Sequence, residues 1–424
     1  MKPAKSKRIR KIQTAALCLL LTACIINYLD RGALSIANLE ITREFGLSAV
    51  QMGYLLSAFS LSYAFAQLPL GILLDKVGSR LMLGIGLLFW SIAQMCGGLV
   101  SSFNALFGTR LVLGVFEAPQ FPAGAKSIGE WYNIKERGAP MGTLNAGASI
   151  APAIAPPLLT FLMLSFGWRL MFVILGVAGT LVAILWLVLY RNRDSVQLTA
   201  EETAALDEGS PAASPDKPTL KEWLGLFEYG TTWGIVIGYM GVVYMVWLYL
   251  TWLPAFFEHE YHLSIARTGI VVAIPYLFAI AGTIVAGFVA DALARHGYDI
   301  VKTRKWQCAL SLIGAGLFTI PASQASDLSL AVAYFCGAQF CLTFASGSGW
   351  ILVTSVIPAR QISSLGSIQN FGGYLAGSAA PILTGYIVQS TGSFKMALTV
   401  SVVVAFLSAL GYVFLVNRPI AKRS

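Results

Sequence analysis

Four ionisable residues stand where such residues are costly. Asp30 and Arg31 are neighbours inside one long apolar stretch, and Arg110 and Glu117 lie seven residues apart inside another. Seven residues make two helical turns, so Arg110 and Glu117 share nearly one face of a helix. The acids offer proton exchange, and the guanidinium groups offer anion capture. Fully ionised, the four charges sum to zero. With Asp30 and Glu117 protonated they sum to +2, a state that draws in a carboxylate. Proton and anion binding then assist each other by linkage. The structural alternative is a set of buried ion pairs that fixes helix packing.

The stretches around these charges decide their setting. Of 424 residues, 56% are hydrophobic and only 12% charged, with a mean hydropathy of +0.71. Soluble domains carry about 25% charged residues. A bilayer removes the need to cover such a core with polar surface. Spans of about 20 apolar residues fall at about 14–36, 51–74, 80–101, 104–126, 138–164 and 169–190. Six more fall at about 232–256, 267–292, 303–323, 328–354, 364–389 and 394–416. An ionisable group facing lipid at mid-span costs about 2.5–3.5 kcal/mol or more, so the four charges face the interior or a water-filled cavity. The fold class expected is an all-α membrane protein of twelve transmembrane helices.

The net charge is +9, and its placement excludes a nucleic-acid partner. About 23 of the 29 Lys and Arg fall in the N-terminus, the even-numbered loops and the C-terminus, and about 4 in the odd-numbered loops. That asymmetry puts both termini in the cytoplasm. The polar stretch between the two sets of spans, with Ser210-Pro211-Ala212-Ala213-Ser214-Pro215, reads as a linker. The chain divides into a six-helix bundle over 1–190, a cytoplasmic linker over 191–230, and a second six-helix bundle over 231–424. The halves echo each other: Gly71-x3-Asp75 against Gly287-x3-Asp291, and Gly142, Pro157 and Thr160 against Gly366, Pro381 and Thr384. Two six-helix repeats with a site between them form a transporter architecture.

No sequence for enzyme chemistry is present: neither G-x-S-x-G, nor a Walker A sequence, nor HExxH. The chain is not expected to be an enzyme, and no cofactor or metal is expected. Its six cysteines sit in apolar stretches without a CxxC pair, and its three histidines in loops. These read as small buried hydrophobes and solvated loop residues.

Gly71-Ile-Leu-Leu-Asp75-Lys76-Val-Gly78-Ser79-Arg80 resembles the loop signature of the major facilitator superfamily. In that signature Gly71, Asp75 and Arg80 serve gating on the cytoplasmic side. Asn27-Tyr28-Leu29-Asp30-Arg31, Arg110-x6-Glu117-Ala-Pro and Ser367-Ile-Gln-Asn370-Phe resemble the anion:cation symporter family, and bacterial galactonate and hexuronate carriers within it. The resemblance implies proton-driven uptake of a monocarboxylate by two bundles related by a pseudo-two-fold. It implies that Tyr28, Arg31, Tyr63, Trp350 and Asn370 line the substrate cavity. Asp30 and Glu117 would be the proton-binding acids, with Arg110 the partner of the Glu. Gln369 is a further candidate, as are Tyr244, Gln339, Ser346 and Ser348 among the polar groups of the second half. Where galactonate carriers have a Gln on the fifth span, this chain has Ala148, with Asn145 and Ser149 nearby.

The function expected is therefore proton-coupled symport of a small organic anion, a sugar acid such as galactonate or a hexuronate, across a bacterial inner membrane. The partners are the anion, protons and the lipid bilayer, and the protein is expected to be a monomer. The competing readings are an organic-anion exchanger of the same fold and a transporter-like membrane sensor without flux.

Overall fold

The computed structural model describes residues 6–133, 136–207, 220–357 and 361–420, apart from the side chains at 68, 71, 72, 75, 220 and 363. All regular structure among them is helical. The helices are α1 (Lys7–Ile36), α2 (Asn38–Phe45), α3 (Ala49–Val77), α4 (Ser79–Gly97), α5 (Phe103–Glu117), α6 (Gln120–Trp131), α7 (Gly138–Leu189), α8 (Ala200–Asp207) and α9 (Leu220–Gly225). They continue as α10 (Gly230–Glu260), α11 (Ile265–Arg295), α12 (Ile300–Gln324), α13 (Leu328–Val356), α14 (Ile362–Thr391) and α15 (Phe394–Leu415). Nine helices among the described residues are long and apolar enough to cross a membrane. In lipid every backbone polar group must be satisfied within the segment, which is why helix is the rule here.

The helices start where the sequence supplies caps. Ser6, Ser102, Ser264, Asp299, Asp327 and Ser393 each accept a backbone N–H from the first turn. Ser48 and Gln51 form a reciprocal capping box on α3. Two interruptions matter. Within α7 the backbone leaves helical geometry at Gly167, where φ is 78° and ψ 162°, a conformation suited to glycine. Between α5 and α6 lie Ala118 and Pro119. Pro119 has no N–H, so the hydrogen-bond ladder is cut two residues after Glu117.

Close helix approaches occur chiefly through glycine. Gly114 of α5 sits against the Phe59 carbonyl and the Ser62 hydroxyl of α3, and Gly86 of α4 lies so near the α5–α6 break that a Cβ there would be 2.7 Å from the Phe116 carbonyl oxygen. Between the first and second halves of the chain the approaches cluster at one end, the end that carries α2. Gly53 of α3 faces the Pro381 carbonyl of α14, and Gly385 faces Ala49. Gly269 of α11 lies on Thr160 and Pro156 of α7. The Ser35 hydroxyl of α1 donates to the Thr251 carbonyl of α10 at 2.8 Å. Away from that end, Asn145 of α7 and Trp350 of α13 are exposed.

At the opposite end the stretch read as a linker is partly folded. Glu202 of α8 accepts from Ser6 at 2.5 Å, Asn133 donates to the Ala205 carbonyl at 3.3 Å, and Arg193 grips Asp207 at 2.8 and 3.0 Å. The sequence read this stretch as polar and missed α8, whose eight residues bury only Ala205 and Leu206. Arg80 donates through Nε and Nη2 to the Leu187 carbonyl, at 3.1 and 2.5 Å, near the C-terminus of α7. There a cation meets the negative end of the helix dipole. Gly71 and Asp75 lie within α3, but their side chains fall outside what the structure describes.

Two expectations follow from this packing. Glu44 of α2 accepts from Arg169 at 2.6 Å and from Trp168 at 2.8 Å, and these hydrogen bonds, Arg169's first, hold its carboxyl below the usual Glu value of 4.5. The folded-state pKa lies below the unfolded one, so the pair contributes its full stability above about pH 4.5 and loses it as pH falls through the lowered value. The Glu44 side chain is 43% exposed, so the contribution is about 0–1 kcal/mol. Glu44→Gln should flatten the acid limb of a Tm-versus-pH profile, and an unchanged limb would remove this pair from acid stability. Second, a leucine side chain at Gly53 has no room beside the Pro381 carbonyl. In Gly53→Leu a Ser35→Cys reporter, placed at a site now 3% exposed, should react several-fold faster with a membrane-impermeant maleimide. Equal rates with and without Gly53→Leu would show that this seam is not the seal.

Candidate functional site

The four charges that stood out in the sequence meet where α1 crosses α5. Asp30 and Glu117 are wholly buried, Arg110 is 3% exposed and Arg31 5%. Arg31 Nε donates to Glu117 Oε1 at 2.6 Å. Glu117 is the last residue of α5, held immediately before the Ala118–Pro119 break. Among the described residues neither its second oxygen, Oε2, nor Arg31 Nη2 has a hydrogen-bond partner. The pair is therefore one-pronged, with a donor and an acceptor left over.

Arg110 points elsewhere. Its Nη1 donates to the Gln94 side-chain oxygen at 3.2 Å, and Nη1 and Nη2 donate to the backbone carbonyl of Asp30 at 3.3 and 3.4 Å. The family likeness gave Arg110 to Glu117 as its partner; in this arrangement Glu117 holds Arg31 instead. The reason is reach: Arg110 lies two turns before Glu117 on the same helix, whereas Arg31 crosses from α1 opposite the end of α5. The buried Asp30 carboxyl faces Glu117, Arg110 and the Trp90 indole.

Aromatic rings surround the Arg31 guanidinium. Its centre lies 5.0 Å from the Tyr28 ring, 4.9 Å from Phe59 and 5.1 Å from Tyr63, within cation–π range. Nη1 donates to the Tyr374 hydroxyl at 3.4 Å, and the Tyr63 and Tyr374 rings stack at 4.6 Å. Arg31 thus bridges both halves of the chain: Tyr28, Phe59 and Tyr63 come from α1 and α3, and Tyr374 from α14. Tyr28 and Tyr374 are half-buried and Tyr63 is buried.

On α14, Asn370 is half-buried and donates to Gln67 of α3 at 2.7 Å. Gln369 is wholly buried, and neither atom of its amide has a partner. Trp350 is 43% exposed, and its indole N–H donates to the Tyr239 hydroxyl at 3.0 Å. That hydroxyl also lies 3.5 Å from Ser346. Tyr244, Gln339 and Ser348 are buried, Asn145 is exposed, and Ala148 and Ser149 are half-buried.

The structure thus brings Tyr28, Asp30, Arg31, Tyr63, Arg110 and Glu117 into one cluster, with Asn370 one helical turn from Tyr374 at its edge. Phe59, Gln67, Gln94 and Tyr374 belong to it and were not singled out from sequence. A signal for two of them was present: Gln67 follows Tyr63 by four residues and Tyr374 follows Asn370 by four, the spacing of neighbours on one helix face.

Comparison with known proteins places this architecture. The Major Facilitator Superfamily model matches residues 20–381. The chain is 46% identical over 416 residues to the Probable L-galactonate transporter of Escherichia coli (strain K12), covering 98% of this chain and 92% of that one. It is 30% identical to the Hexuronate transporter of Bacillus subtilis (strain 168), covering 95% and 94%. Among solved structures, a bacterial homolog of the human lysosomal transporter Spinster, inward-facing and unoccupied, superposes with a TM-score of 0.82 at 19% identity over 97% of this chain and 98% of that one. The D-xylose-proton symporter gives a TM-score of 0.71 at 14% identity, over 97% and 99%. On the family match and the 46% identical relative together, this integral membrane protein belongs to the Major Facilitator Superfamily.

Proposed function

We propose that the protein imports a sugar acid, galactonate or a hexuronate, together with protons, across a bacterial inner membrane. The carrying observation is the buried, one-pronged Arg31–Glu117 pair beside the wholly buried Asp30 carboxyl. The names of the relatives support the substrate class.

Twelve spans account for the helices: α5 with α6 makes one broken span, and α7 makes two, parted at Gly167. They form two six-helix bundles over 1–190 and 231–424, joined by the linker over 191–230. The charge distribution puts both termini in the cytoplasm. The sealed end with α2 then faces outward, and the conformation is inward-facing, in line with the Spinster homolog's structure.

The mechanism follows from competition for one guanidinium. While Glu117 is ionised it occupies Arg31 Nε, which a substrate carboxylate also needs. Protonating Glu117 removes the competing anion and leaves Arg31 with its unpartnered Nη2 to receive the substrate. A buried guanidinium without a counter-anion is costly, so loss of the Glu117 charge and arrival of the carboxylate favour each other. Asp30, wholly buried in the same cluster, is the second proton site. Both acids are sealed in the inward-facing arrangement. Their exchange with water belongs to another state of the cycle or to movement of the Tyr28, Tyr63 and Tyr374 rings.

The energetics require coupling. An anion entering a cell that is negative inside opposes about 2.3 kcal/mol per 100 mV. One proton cancels the charge, and a second makes import electrogenic and downhill. Alternating access is rocking of the two bundles about this site.

Uptake of galactonate and of glucuronate into proteoliposomes, with pH and voltage gradients imposed separately, tests the reading: accumulation should follow both gradients, and indifference to both would sink it. Glu117→Gln should abolish concentrative uptake while keeping substrate binding or exchange, since its amide carries no charge to compete for Arg31. PH-driven accumulation at the wild-type level would remove Glu117 from the coupling. Arg31→Ala should weaken substrate binding by about 30-fold or more, the loss of a buried charge-pair partner. Near-native affinity would refute the carboxylate role.

A further inference from the structure

We propose that Gln67 is a second specificity-determining residue, which with Asn370 forms an amide pair that reads a hydroxyl of the substrate chain. The inference rests on the sugar-acid reading and adds to it a residue and a recognition chemistry.

Helices α3 and α14 run antiparallel, and their contacts form rungs. From the sealed end, the Val50 N–H donates to Gln389 at 3.3 Å, the Tyr54 and Tyr386 hydroxyls meet at 3.2 Å, Tyr63 stacks on Tyr374, and Asn370 donates to Gln67 at 2.7 Å. The Gln67–Asn370 rung lies one helical turn beyond the Tyr63–Tyr374 rung, which touches the Arg31 guanidinium. It lies on the side away from the seal. A chain whose carboxylate sits on Arg31 and which extends toward the open end therefore passes this rung.

The rung is chemically suited to hydroxyls. Each amide carries two N–H donors and one carbonyl acceptor. The observed bond uses one Asn370 donor and the Gln67 acceptor. The Gln67 amide nitrogen and the Asn370 carbonyl oxygen take no part in that bond, and both side chains are half-buried. A hydroxyl both donates and accepts, so it can bridge a donor on one half and an acceptor on the other. A second carboxylate would gain no counter-charge there, since both groups are neutral. The rung thus discriminates by hydroxyl position rather than by charge, and it couples that readout to both halves of the protein.

The test uses the full-length protein in proteoliposomes, with uptake of D-galactonate and D-gluconate, acids that differ in the configuration of one hydroxyl. Two variants are compared with wild type: Gln67→Ala, and Gln67→Met, which keeps a long helix-compatible side chain without the amide. Both should raise KM for the preferred acid about tenfold, the loss of a polar substrate contact, with kcat within about twofold, and both should narrow the KM ratio between the two acids. Adding Asn370→Ala to either should cost little more than one substitution alone, because the two amides act as a unit. An unchanged KM ratio in the Met variant, or fully additive losses, overturns the proposal. A wild-type protein that moves neither these acids nor glucuronate overturns the sugar-acid reading and this inference with it. Normal wild-type uptake with unchanged selectivity in the variants overturns this inference alone.

Discussion

The structure is organised around the 2.6 Å pair of Arg31 and Glu117. Removing two charges from water costs several kcal/mol per ion, and only good geometry with further hydrogen bonds recovers it. In this fold Arg31 reaches from α1 to Glu117, the last residue of α5, at 2.6 Å. That demand explains the surroundings. Three aromatic faces lie about 5 Å from the guanidinium and supply quadrupole attraction where water cannot. Gly114 lets α3 approach α5 closely enough to deliver Phe59 and Tyr63. Yet the pair is not optimised as a static fastening. A bidentate fork would consume Nη2 and Oε2, and both are left without partners. On the proposed mechanism, that spare donor and acceptor are what exchange for another carboxylate would use.

The same site sits on the contact between the two halves, so its chemistry and the seal cannot be independent. Tyr374 touches Arg31 from the second half, and the seam that carries Tyr374 continues through Tyr386 and Gln389 to the sealed end. Glycines at 53 and 385 set the seam spacing by bringing backbone against backbone. Packed interfaces of this kind are bistable rather than continuously deformable. On the proposed mechanism, a change of partner at Arg31 would be transmitted along the seam through this short run of packed groups.

The sequence revealed the parts of this design that have a cost. An ionisable residue in an apolar span is conspicuous because lipid penalises it, so Asp30, Arg31, Arg110 and Glu117 could be read directly, and the structure buries all four together. The helices could be read because the bilayer dictates their length. What stayed hidden has no such signature. Tyr374 and Gln67 are ordinary membrane-helix residues until α14 is laid beside α3, and that pairing spans 303 residues for the Asn370–Gln67 bond. The choice of Arg31 over Arg110 as the Glu117 partner depends on where helix axes cross, which residue spacing does not encode. Helix α8 escaped because its polar sequence has almost no apolar face to mark it, and it is held instead by Ser6, Asn133 and Arg193.

The division of charge between the halves carries the last step. All four deeply buried members of the cluster's charge set come from α1 and α5, and the second half brings neutral groups beside them: the Tyr374 hydroxyl on Arg31 and the Asn370 amide on Gln67. In the proposed rocking of the bundles, a charge fixed in one half moves with that half, so its neutralisation must be settled within that half. Neutral polar groups impose no such demand, because water can replace a hydroxyl or amide contact at modest cost. On the proposed mechanism the second half would be free to exchange the substrate for water. The first half would release its anion at little cost only when another anion takes the vacated place, and the Glu117 carboxylate, 2.6 Å from Arg31, is the group proposed to do so.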